Sequence, residues 1–161
     1  MTNPSTASPP ANRYLSSAAW RGSLTGIHYF LNKRMRVEEE AAGRTPLLWA
    51  ISGGHEDVMD LLLQKGASLD KRTDEGASAL TCAVWSGNAR LVQKLIDRGF
   101  DIGETDRLGK SALDWAREIG RADVLHILSE RAVADSHTRA AGRQEFLRER
   151  ARRRQKIDIR P

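Results

Sequence analysis

Three glycines stand 33 residues apart, Gly54, Gly87 and Gly120, and each carries the same frame of residues around it. Nine positions before each lies Thr45, Ser78 or Ser111, then Leu47, Leu80 or Leu113, then Ala50, Ala83 or Ala116. Four positions after each comes Val58, Leu91 or Val124, and eight after it Leu62, Leu95 or Leu128. Ala18 and Gly22 fit the frame 32 residues upstream, followed by Ile27, Phe30 and Leu31. A fixed period of this length means stacked copies of one small supersecondary unit, because a chain so patterned has no single centre on which to close.

Each unit reads as two short helices. Thr45, Ser78 and Ser111 are N-cap types, whose side-chain oxygens accept from amides left unsatisfied at a helix start. Pro46 fits the first helical position, where a missing N–H costs nothing. The repeat glycine supplies the left-handed backbone that ends the first helix, and Gly66 and Gly99 close the second in the same way. Apolar pairs at i, i+4 mark the second helix: Val58/Leu62, Met59/Leu63, Leu91/Leu95, Val92/Ile96 and Val124/Leu128. The segments 69–76 and 102–109 are polar and rich in turn residues. One helix pair cannot bury its apolar stripe alone, so the units must stack.

The stretches GRTPLLWAISGGHEDVMDLLLQKGASLD, GASALTCAVWSGNARLVQKLIDRGFDI and GKSALDWAREIGRADVLHIL resemble ankyrin repeats. The resemblance covers roughly residues 14 to 131 and is most specific in the middle two units. It implies an all-α solenoid of about four helix-turn-helix units, at about 14–41, 42–74, 75–107 and 108–131. A flexible arm at 1–13 would precede the stack, and a basic helical tail at 132–161 would follow it. The first unit is degenerate, with AAWRGSLTGIHYFL, and the fourth has Ala132 where a closing glycine would stand. Leu48, Thr81 and Asp114 stand where the family usually has histidine. The function that the resemblance implies is non-catalytic protein binding, as in an adaptor, an inhibitor or a toxin-neutralising immunity protein, by a protein that is monomeric alone.

Charge is divided unevenly along the chain. Of the net +5, residues 139–161 hold nine Lys/Arg against three Asp/Glu, leaving a near-neutral body. Arg148, Arg150, Arg152, Arg153, Arg154 and Lys156 form the densest run. Three readings of it stay open: a solvated helix, an electrostatic contact to an acidic partner, and a tether to nucleic acid or anionic membrane. No aromatic residue is interleaved with the arginines to stack on bases, which counts against single-strand binding. No apolar run reaches the length of a membrane span, and the polar N-terminus MTNPSTASPPAN lacks the pattern of a secretory signal. Cys82 is the only cysteine. It forms no internal disulfide and fits a reducing compartment, so a cytoplasmic location is expected.

Nothing in the sequence assembles an active site. His28, His55, His126 and His137 share no spacing with Cys, Asp or Glu that would suggest a metal. No phosphate-binding glycine motif is present. Neither cofactor, metal nor catalytic residue is expected. His55 reads as structural, Cys82 as a small buried hydrophobe, and Glu38 to Glu40 as a solvated charge run. Trp49 and Trp115 occupy one repeat slot and read as packed between units. Trp20 and Trp85 occupy a second slot, shared with Ser52 and Glu118. That slot tolerates polar residues, so it is expected to face a concave groove and offer two aromatic hot spots; the competing reading is that each ring covers its neighbouring unit. Around it, the turn residues Arg44, Asp74, Glu75, Ala77, Arg107, Leu108 and Lys110, with Glu118, are the candidate rim. A rim of mixed charge suits a protein partner better than a nucleic-acid backbone.

Overall fold

The computed structural model describes residues 14–136 and 144–145. Contacts divide the chain into two compact units, 1–128 and 129–161. The first contains helices α1 (Tyr14–Trp20), α2 (Leu24–Asn32), α3 (Pro46–Ser52), α4 (Glu56–Gln64), α5 (Ala79–Ser86), α6 (Ala89–Asp97) and α7 (Ala112–Ile119). A further helical stretch begins at 122, and its residues 122–128 close this unit. In the second unit, residues 129–136 are helical, with an Arg131–Asp135 ion pair at 3.0 Å.

The helix boundaries follow the residues that were expected to set them. Thr45, Ser78 and Ser111 adopt extended backbone, and their hydroxyls accept from the amides of Leu48, Thr81 and Asp114. Pro46 opens α3. Gly54, Gly87 and Gly120 all have positive φ, as do Gly66 and Gly99 after the second helices. Consecutive first helices pack side by side, α1 on α3, α3 on α5 and α5 on α7, and α1, α3 and α5 also pack on their own second helices, α2, α4 and α6. The core is one continuous cluster along this row. Leu47, Leu80, Leu62 and Leu95 are completely buried in it, each contributing about 1.5–3 kcal/mol by leaving water.

Neighbouring repeats are also joined by polar bonds that hold their register. The residue after the repeat glycine reaches back to the preceding repeat: His55 Nε2 lies 2.9 Å from the Trp20 carbonyl, and Asn88 Nδ2 donates to the Gly54 carbonyl at 2.9 Å. Gly22 makes room for the first of these. A Cβ there would lie 2.5 Å from the His55 ring, on a backbone with φ of 70°. Where the family usually has its histidine, Asp114 instead forms a capping box with Ser111, and Leu48 is packed in the core. Glu38 departs from the solvated reading. It is half-buried, and its Oε1 accepts from the Ser68 amide at 2.6 Å, tying the loop after α2 to the loop after α4.

Candidate binding surface

The tryptophans and the residues before the helix caps form one ladder across the repeats. Trp20 meets Trp49 edge to face with centroids 5.7 Å apart, and Trp85 meets Trp115 in the same way at 5.6 Å. Between these two pairs lies Arg44, its guanidinium 4.8 Å from the Trp49 ring and 5.2 Å from the Trp85 ring. Arg44 Nη1 also donates to Ser52 Oγ at 3.4 Å. Lys110 sits over Trp115 at 4.3 Å and pairs with Glu118. The indole N–H of Trp49 donates to the Ala41 carbonyl at 2.8 Å, and that of Trp115 to Asp106 Oδ2 at 2.7 Å.

This arrangement corrects part of the rim expected from sequence. Trp85 is 2 % exposed and Arg44 3 %, while Ala77 is wholly buried. The slot of Trp85 faces the first helix of the following repeat, so a large ring there is covered by Trp115. Arg44 turns inward because Ala41 and Arg44 close a tight turn through two left-handed residues, Ala42 and Gly43. That turn leaves its side chain over the indole four residues into the same repeat's first helix. Trp20 is half-buried against Trp49.

A sequence signal for the inward cation does exist. The position before each cap and the position four after the cap vary together: Arg44 with Trp49, Lys110 with Trp115, Ala77 with Cys82. Cation goes with indole, and small residue with small residue. Ankyrin-like position alone could not reveal this; the pairing could.

The remaining rim residues are at the surface. Asp74, Glu75, Arg107 and Glu118 are exposed, Leu108 is 69 % exposed, and Lys110 is half-buried. Two backbone bonds align the tips that carry them, Asp74 N–H to the Gly43 carbonyl at 3.0 Å and Arg107 N–H to the Glu75 carbonyl at 2.9 Å. The second bond requires Gly76, where a Cβ would lie 3.0 Å from Arg107 Cγ and 3.2 Å from its amide nitrogen. The result is a row of tips with acid on one step and a base and an apolar side chain on the next. A separate cleft of about 390 Å³ is lined by Leu69, Arg72, Arg98, Phe100 and Glu104, with Arg72 and Glu104 paired at 2.9 Å. The basic residues Arg148, Arg150, Arg152, Arg153, Arg154 and Lys156 lie outside the described residues.

The titrating groups near the ladder point to structure. Burial pushes the Cys82 thiol up to about 11, against the opposing pull of Arg44, so it stays protonated and enclosed. Hydrogen bonds from the Ser111 hydroxyl and amide hold the Asp114 carboxyl below its usual range. Among the described residues no group of three or more His, Cys, Asp or Glu is placed to hold a metal ion, and no helix is long and apolar enough to cross a membrane.

Comparison with known proteins matches short parts of longer ones. The chain is similar to Palmitoyltransferase ZDHHC13 of Mus musculus, 36% identical over 64 residues, which is 40% of this chain and 10% of that protein. It is similar to Ankyrin repeat and KH domain-containing protein mask-1 of Caenorhabditis elegans, 38% identical over 78 residues, 48% of this chain and 3% of that one. Osteoclast-stimulating factor 1 of Xenopus laevis is 44% identical over 50 residues, 30% of this chain and 23% of its own. The chain therefore spans less than a quarter of the length of any of these three relatives. The family model for ankyrin repeats (3 copies) matches residues 15–106, more than half of the 161. With capped helix pairs stacked at the same period, the chain belongs to the ankyrin-repeat family.

Proposed function

We propose that this chain is a non-catalytic protein-binding module whose partner docks along the aligned tips, on Asp74, Glu75, Arg107 and Leu108, with Lys110 and Glu118 at the margin. Its membership of the ankyrin-repeat family implies a protein–protein interaction module. The observation that carries the tip assignment is the pair of backbone bonds fixing those tips in register. Side chains presented on a fixed backbone lose little entropy on docking, so a modest contact area can bind specifically. An adaptor, an inhibitor or an immunity protein would each use such a surface, and the partner's identity is what separates them.

Affinity capture from the native lysate tests the reading, wild type beside Glu75→Arg/Arg107→Glu, Leu108→Ser and a chain ending at Asp135. Circular dichroism should be unchanged in the tip variants, because the substituted side chains are exposed. A stoichiometric protein retained by wild type and the shortened chain, and lost with the tip variants, supports tip docking. Capture that survives the tip variants but disappears on shortening would move the function to the basic charge of the tail. Trp85→Ala is unsuitable as a surface probe, since its ring is part of the core.

A further inference from the structure

A stacked helix pair has two broad faces, and the pair α1–α2 uses one of them against α3 and α4. The other is apolar and open. Tyr14 and Tyr29 are each 57 % exposed. Phe30 is stacked by Tyr14 at 5.5 Å and met edge-on by Tyr29 at 5.2 Å. Beside them runs a cleft of about 310 Å³ lined by Tyr14, Ser17, Arg21, Ser23, Gly26 and Phe30. No lining residue belongs to α3 or α4, so the cleft opens away from the stack. Gly26 brings α2 close to α1 at its floor, where a Cβ would lie 3.0 Å from Ala18 Cβ. Terminal repeats that act as caps carry a polar outer face. The other end of the repeats does so, exposing Arg117, Glu118, Asp123 and His126. The α1–α2 face does not.

Charge selects what could cover it. From Tyr14 to Val37 there is no Asp or Glu, against Arg21, Lys33, Arg34 and Arg36. Among the described residues none of these four makes an ion pair. Arg21 lines the cleft, and Lys33 lies 5.7 Å from the Tyr29 ring centroid. A second copy docked face to face would oppose these cations to themselves. A flat lipid surface would leave the cleft unfilled, whereas a groove between two helices receives the side-chain ridge of a third.

We propose that the outer face of α1–α2 is a docking site for an acidic amphipathic helix of a partner protein. Its apolar stripe, at i, i+3, i+4 and i+7, lies on Tyr14, Phe30 and Tyr29, and its flanking carboxylates meet Arg21 and Lys33. This surface is independent of the tips.

The test is selection of a displayed random library of helix-favouring peptides, about 20 residues long, on the full chain. Enriched peptides should be net acidic with a helical apolar stripe. Their affinity should fall about tenfold or more for Tyr14→Ser/Tyr29→Ser and for Arg21→Glu/Lys33→Glu, and stay unchanged for Glu75→Arg/Arg107→Glu. Replacing the Glu residues of a selected peptide by Lys should restore binding to Arg21→Glu/Lys33→Glu, an outcome that a misfolded variant could not give. Enrichment of neutral or basic peptides, binding indifferent to these variants, or no enrichment at all would overturn the proposal. So would sedimentation with phosphatidylserine vesicles, or self-association, that depends on Arg21 and Lys33 while no acidic peptide binds. Tip variants that lose a lysate partner without losing the peptide would leave this site standing by itself.

Discussion

The junctions between first helices are built in two ways from the same repeat slots. Where α1 meets α3, and where α5 meets α7, a tryptophan late in one helix packs edge-on against a tryptophan early in the next. Where α3 meets α5, those slots hold Ser52 and Cys82, and the volume is taken by Arg44 between Trp49 and Trp85. Edge-to-face indoles add about 0.5–1.5 kcal/mol beyond their buried area. A desolvated guanidinium over an aromatic face contributes about 2 kcal/mol. Two unlike chemistries thus reach similar ends, which shows that the repeat specifies a space to be filled and leaves open what fills it.

Truncating the shared ring should do the most damage. Trp85→Ala removes a side chain that touches both Trp115 and Arg44, opening a cavity at one junction and uncovering the cation at the other. The expected loss is about 3–5 kcal/mol, read from the urea midpoint by circular dichroism. Trp20→Ala empties the equivalent slot at an end where the ring is only half-buried, and should cost about 1–2 kcal/mol. Equal losses would mean that the two aromatic junctions are interchangeable and that Arg44 gains nothing from its second ring.

Arg44→Ala attacks the central junction alone, with an expected loss of about 2–3 kcal/mol. Lysine should not rescue it, because an ammonium cannot lie flat between two indoles as a guanidinium does. The sharper measurement is a cycle of Arg44→Ala, Trp85→Leu and the double variant, since leucine fills space without offering an aromatic face. A coupling near 1 kcal/mol is expected, and additivity would reduce the sandwich to simple packing.

The contrast between junctions also explains how far the sequence could be read. Helix starts, stops and stacking order were legible because Thr45, Ser78, Ser111 and the glycines act within a few residues of themselves. Burial of the second tryptophan slot was not, because it is decided by the next repeat. Ser52, Trp85 and Glu118 share that slot, yet Ser52 lies under Arg44, Trp85 under Trp115, and Glu118 is exposed. A polar residue in one copy therefore says little about exposure in another. Likewise, turn position placed Arg44 on the rim, while the left-handed pair Ala42–Gly43 folds it inward. The open face of α1–α2 shows only once the helices are assembled.

The indole N–H groups separate the rings more finely. Those of Trp49 and Trp115 are satisfied, but the N–H of Trp85 is buried with no acceptor among the described residues. An unmet buried donor costs about 1–3 kcal/mol, comparable to the small cavity that a phenyl ring would leave. Trp85→Phe should accordingly be close to neutral. Trp49→Phe should cost about 2 kcal/mol, losing ring volume and a hydrogen bond together. The reverse order in thermal or urea unfolding would show that the Trp85 donor has found a partner.

The effect confined to alkaline pH belongs to Cys82, the small residue that makes room for the guanidinium. Its thiol is raised from 9.0 to about 11, so above about pH 9 the unfolded chain releases a proton that the folded chain retains. Protons bound in the unfolded state are then fewer, and stability falls as pH rises through 9 towards 11. Between pH 8 and pH 10 the contribution should be about 1 kcal/mol, seen as the difference in urea midpoint shift between wild type and Cys82→Ala. The same thiol should react with iodoacetamide on the order of 10³-fold more slowly in the folded chain than in urea. A native thiol that alkylates readily, with no alkaline difference from Cys82→Ala, would mean that the central junction opens on its own. The guanidinium would then be filling a gap between repeats that separate locally, and the two kinds of junction would differ in stability as well as in chemistry.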